Sequence, residues 1–178
     1  MAEVKGKFIM LAGSLMTLYK DGLAEANKGL MAKTGKTFAE LDPEGWYDTS
    51  LFNLFMETYA RYSVSGDRAI VTLGRNVYPT IKKSAGLPPH LKTPLDFIKF
   101  EADGFLANHR GSDVQPRKFI SAKDGDVLVQ APAPGYNPKL YEGVFLGILE
   151  MSGVKIGNVV QTKARAKGDS TDEFHITW

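Results

Sequence analysis

The stretch KFISAKDGDVLVQA, residues 118–131, decides the fold class. Lys118 to Lys123 and Val127 to Ala131 alternate with a period of two, and Asp124-Gly125 between them tolerates the positive φ of a tight hairpin turn. The segments before it repeat at helical spacing instead. The change of period from 3.6 to 2 predicts helices first and antiparallel strands last.

Working upstream, Lys7 to Tyr19 and Leu23 to Ala32 carry apolar residues at helical spacing, break at Asp21-Gly22 and close at Gly35. They predict a helical hairpin. Asp48 is placed to cap a helix whose broad face is Leu51, Phe52, Phe55, Met56, Tyr59 and Tyr62. Ser65-Gly66-Asp67 opens the next, striped by Ile70, Leu73, Gly74, Val77 and Ile81, which Tyr78-Pro79 should kink or divide. Pro94 begins another, from Leu95 to about His109, rich in Phe97, Ile98, Phe100, Phe105 and Leu106.

Downstream of the hairpin, Pro138 to Ser152 predicts a helix lined by Tyr141, Val144, Phe145, Ile148 and Leu149, with Gly143 and Gly147 allowing close approach of a neighbour. At the C-terminus Val160, Thr162, Ala164 and Ala166 alternate with Gln161, Lys163, Arg165 and Lys167, and Phe174, Ile176 and Trp178 with Glu173, His175 and Thr177. Hairpin, helix and hairpin together predict a four-stranded antiparallel sheet behind N-terminal helices, an α+β fold. Residues 1–178 read as one ligand-binding domain, and Arg110 to Arg117 as its mobile loop.

Composition narrows the function. Of 178 residues 43% are hydrophobic and 24% charged, as in an average globular protein. Lys and Arg number 22 against 20 acidic residues and form no block, which argues against a nucleic-acid partner. The absence of cysteine excludes disulfides, thiolate metal sites and thiol nucleophiles, and fits the cytoplasm. The apolar run Phe8 to Leu18, broken by Gly13, Ser14 and Thr17, is too short for a membrane span.

Catalytic patterns are absent as well. Lys33-Thr34-Gly35-Lys36-Thr37 lacks the upstream glycine of a phosphate loop, since Leu30 stands there, and reads as a helix terminus. His90, His109 and His175 have no metal-pair spacing, and no Gly-x-Ser-x-Gly elbow surrounds Ser14, Ser50, Ser121 or Ser152. Asp169 and Asp172-Glu173 solvate a turn beside Gly168. The chain therefore reads as a binding or sensing module and not an enzyme. Its aromatic residues fill the core, or else Trp46, Phe55, Tyr59, Phe100 and Phe145 line an apolar pocket between helices and sheet.

The segments Glu142 to Leu149, Ala164 to Asp169 and Glu173 to Ile176 resemble the four-vinyl-reductase (V4R) domain. Pro43 to Tyr47 and Leu73-Gly74-Arg75 are similar to uncharacterised myxobacterial paralogues of that group, whose superfamily includes haem nitric-oxide-binding domains and Golgi-transport proteins. The resemblance implies helices capped by a four-stranded sheet, a small-molecule sensor and a homodimer. It also implies a metal-free site, because Ala164 and Asp172 stand where V4R cysteines are expected. Haem-binding relatives have a proximal histidine before the sheet, for which Asn108-His109 followed by Pro116 and Phe119 is the counterpart. Their Tyr-x-Ser-x-Arg motif falls on Tyr136 to Leu140, which keeps the tyrosine but lacks the serine and arginine. The expectation is a domain without cofactor that binds an apolar or amphipathic molecule, or a protein effector, with Tyr136 and His109 among the ligand-binding residues; the alternatives are a haem sensor with His109 as axial ligand and a pocketless dimeric scaffold protein.

Overall fold

The computed structural model describes all 178 residues, Met1–Trp178. The chain opens with β1 (Glu3–Lys5), α1 (Gly6–Leu15) and α2 (Lys20–Thr34), then β2 (Trp46–Asp48), α3 (Thr49–Arg61), α4 (Arg68–Ser84) and α5 (Pro94–Ala107). It continues with β3 (His109–Arg110), β4 (Lys118–Lys123), β5 (Asp126–Ala131), α6 (Pro138–Met151), β6 (Asn158–Lys163) and β7 (Asp172–Thr177). The fold is α+β, as the change of period predicts.

The four C-terminal strands pair antiparallel in the order β4-β5-β7-β6. Val127 and Val129 of β5 lie opposite Ile176 and Phe174 of β7, and these four residues are buried on the face toward α6. Gly125, at φ 83, makes the β4–β5 turn. In β6 the inward residues are Val159 and Gln161, paired with Ile176 and Phe174, while Val160 is exposed. The expected alternation through Ala166 stops at Lys163. A single 3-10 turn, Arg165–Lys167, follows, held by the Asp169 carboxylate on the Ala164 N–H (2.8 Å) and by Asp172 on the Arg165 N–H (3.1 Å).

Local chemistry starts the helices where expected. The Asp48 carboxylate accepts the Ser50 N–H at 2.7 Å at the head of α3. Thr93 and Asp96 form a capping box ahead of α5, with Pro94 in its first turn. Gly35, at φ 71, closes α2.

Two expectations fail for identifiable reasons. No α1–α2 hairpin forms, because the chain leaves helical geometry at Met16 and α2 packs on α3 instead. Pro79 does not divide α4, which runs unbroken from Arg68 to Ser84. Proline removes only the bond to the carbonyl four residues back, that of Arg75. That carbonyl faces Gly147 of α6, in the tightest helix pair of the molecule.

A second sheet, ordered β2-β1-β3, closes the N-terminal end and was not expected. Its strands have two or three residues, too few to display a period. This sheet positions the site: Val4 pairs with His109 and so fixes the residue that follows α5.

Candidate functional site

A cavity of about 420 Å³ lies among the helices, within the range of small-molecule sites. Phe8, Leu11 and Ala12 of α1 form one wall, and Leu73, Val77 and Ile81 of α4 another. Phe100, Gly104 and Phe105 of α5, with Leu140 and Val144 of α6 and Phe52 of α3, complete the apolar lining. Its polar groups are few: Lys7, Ser84 and Asn108, and the buried set Tyr78, Glu101, His109, Arg117, Tyr136 and Tyr141. The sheet contributes only through residues at its margins, so the expected location between helices and sheet is corrected to one among the helices.

His109 is 9% exposed and held at both ring nitrogens. Nδ1 lies 2.8 Å from the Phe105 carbonyl oxygen. A carbonyl only accepts, so Nδ1 carries the proton, and Nε2 offers its lone pair to the Tyr136 hydroxyl at 2.8 Å. Burial lowers the imidazole pKa from 6.5 to about 4, and the nearby charge of Arg117 adds to that. The ring is therefore neutral at physiological pH. It stacks on Phe105, 4.1 Å between centroids.

Arg117 is the second unusual group, with 1% of its side chain exposed. Its Nη2–H and Nε–H donate to the two Glu101 carboxylate oxygens at 2.9 and 3.3 Å. Phe105 lies under one part of the guanidinium at 4.1 Å and Tyr141 at 4.5 Å. Burial is the largest single influence and opposes the charge, but Glu101 and Tyr141 together outweigh it and the Arg117 pKa is raised. Burial also raises the phenol pKa values of Tyr78, Tyr136 and Tyr141, so all three stay protonated.

Of the residues singled out from sequence, Phe100, His109 and Tyr136 line this cavity. The other four lie elsewhere. Trp46 sits on β2 beneath Lys5 and Arg110, 4.3 and 4.4 Å from its ring. Phe55 packs on Phe38, Tyr59 on Tyr19, and Phe145 on Phe174, each as core. Arg117, expected in a mobile loop, is fixed by Glu101. The missed residues are Glu101, Arg117 and Tyr141. Glu101 left a signal, for Phe97, Glu101 and Phe105 are spaced by four and put a carboxylate on a buried stripe. Arg117, after Pro116, left none.

No family model and no curated protein sequence matches this chain. Solved structures do. The Fe(II) unliganded H-NOX (haem nitric oxide/oxygen binding) protein from K. algicida is 16% identical with TM-score 0.69, over 97% of this chain and 95% of that one. The H-NOX from Shewanella woodyi, bound to IWP-051 in the Fe(II)CO state, is 16% identical with TM-score 0.60, over 95% and 93%. An H-NOX structure concerned with haem distortion is 11% identical with TM-score 0.70, over 97% and 93%. The V4R part of the resemblance gains no support from these. The expectation of a domain without cofactor is corrected by them, since the matching structures are haem proteins. At such identities the likeness establishes the fold, and the chain has the fold of an H-NOX domain.

Proposed function

We infer that this chain is a non-catalytic gas-sensing domain that holds haem in the α1–α4–α5–α6 cavity with His109 as axial ligand. The observation that carries the reading is the state of His109: neutral, buried and fixed at Nδ1 by the Phe105 carbonyl. A ligating imidazole needs a free lone pair on one nitrogen and an anchored N–H on the other. Phe105 supplies the anchor, through both its carbonyl and its ring. The Nε2 lone pair accepts from the Tyr136 hydroxyl, which would have to release it for His109 to hold an iron.

The remaining residues suit the group. The apolar walls from Phe8, Leu73, Val77 and Val144 exclude water, and Lys7, 44% exposed at its side chain and 3.6 Å from the Glu44 carboxylate, is the lining cation near solvent that would have to exchange that partner to meet a ligand carboxylate. Haem, when bound, would supply an iron able to bind a diatomic gas. Output to a protein effector or through a homodimer belongs to the same reading. No helix is long and apolar enough to cross a membrane.

Titration of the protein with haemin, followed by absorption, tests this. A Soret band saturating at one haem per chain is expected, with the axial-ligand signature lost in His109→Ala. A featureless titration, or a spectrum unchanged by His109→Ala, would remove His109 as the ligand.

A further inference from the structure

Two buried groups in the cavity wall, Nη1 of Arg117 and the hydroxyl of Tyr141, make no well-formed hydrogen bond to the protein beyond their own mutual approach, which leaves donor capacity at both. Both side chains are buried, 1% exposed for Arg117 and 2% for Tyr141 as a residue. Both line the cavity and they adjoin, the guanidinium carbon 4.5 Å from the tyrosine ring centroid. A buried donor without an acceptor costs about 1–3 kcal/mol. Two together on one wall mark a place for an acceptor from outside the chain.

Charge selects the acceptor. Glu101 already neutralises Arg117 through two hydrogen bonds. A carboxylate brought to Nη1 would leave a net negative charge in an apolar interior, where an uncompensated ion is expensive. A neutral oxygen leaves none. We propose that Arg117 Nη1 and the Tyr141 hydroxyl form a subsite for the carbonyl oxygen of a neutral, apolar organic molecule, such as a ketone, ester or amide. The apolar body of that molecule lies against Leu73, Val77, Phe100 and Val144. The proposal rests on the reading of the cavity as a ligand site and needs no iron at His109. Such a molecule takes the space haem would fill, so the two exclude one another.

The test uses haem-free protein, calorimetric titration with 2-decanone and with decanoate at about pH 8, where the acid is ionised, and the infrared carbonyl stretch of isotope-labelled 2-decanone. The ketone binds at least about tenfold more tightly than the carboxylate. Tyr141→Phe, which removes one oxygen, weakens the ketone by about fivefold to tenfold and moves its carbonyl stretch toward the value in an apolar solvent. Glu101→Gln keeps one acceptor oxygen for Arg117 but removes the negative charge, and shifts the preference toward decanoate relative to the ketone by about tenfold. Decanoate binding the unaltered protein more tightly than the ketone would overturn the proposal. So would a ketone affinity and stretch identical in Tyr141→Phe, which leaves the cavity reading standing. Failure of both probes to bind overturns the subsite and the organic-ligand use of the cavity together, whereas a failed haemin titration touches only the iron reading.

Discussion

His109 shows how burial converts an ordinary titrating group into one with a single state. Its pKa falls from 6.5 to about 4 because charging it inside the cavity forfeits hydration, with Arg117 opposing the charge as well. The unfolded chain, with the ordinary value, binds the proton more readily between these limits. Stability from this residue is thus complete above about pH 6.5 and is lost as pH falls toward 4, on the order of 3 kcal/mol in total. Chemical denaturation from pH 7 to 4 should show this slope, and His109→Gln, which cannot charge, should flatten it. Equal slopes in the two proteins would place the neutral imidazole elsewhere. At this scale the sequence showed the histidine but not its partners. Phe105, four residues before it, was legible as a helix neighbour; Tyr136, 27 residues on, was named only through the family resemblance and not as a partner of His109, and Arg117, 8 residues on in a loop, had no pattern to announce it.

At the level of elements, α4 and α6 carry the closest packing, and glycine makes it possible. A Cβ on Gly143 would run into the Val71 carbonyl, one on Gly147 into the Arg75 carbonyl, and one on Gly74 into the Leu140 carbonyl. Backbone cannot move aside as a flexible side chain can. Gly143→Ala and Gly147→Ala should each cost about 1–3 kcal/mol, the usual toll of overpacking, as measured by urea unfolding. Gly29→Ala is the control: it is exposed in α2 with nothing near its Cβ, and should stabilise by up to about 1 kcal/mol. Gly143 and Gly147 announced this contact by their spacing on an apolar helix. The β1–β2–β3 sheet did not, since two-residue and three-residue strands have no measurable period and depend on pairing across 41 residues or more. The C-terminal strand β6 misled for a related reason, as Val160 carried the apolar signal while its less apolar neighbour Gln161 took the inward position opposite Phe174.

Across the whole molecule, the cavity is a stability cost accepted in the middle of an otherwise packed core. A void lined by Leu73, Val77, Phe100 and Val144 forfeits dispersion contacts that a filled interior would make. Order of elements and overall class follow from period alone, but an empty space leaves no mark in a sequence, because Phe100 lining a cavity and Phe145 packed in the core are the same residue type at the same spacing. Gly104 offers the way to separate fold from site. It lies on α5 at the cavity wall, and a Cβ there meets nothing nearer than the Tyr78 hydroxyl at 3.8 Å. Gly104→Leu replaces a poor helix former with a good one, worth up to about 1 kcal/mol, and buries new apolar surface in the void. The variant should unfold at a higher temperature than the parent without ligand, yet take up neither haemin nor 2-decanone. If it instead binds both as the parent does, the cavity is not where they sit; if it loses stability, the space is already filled by a neighbour that moves.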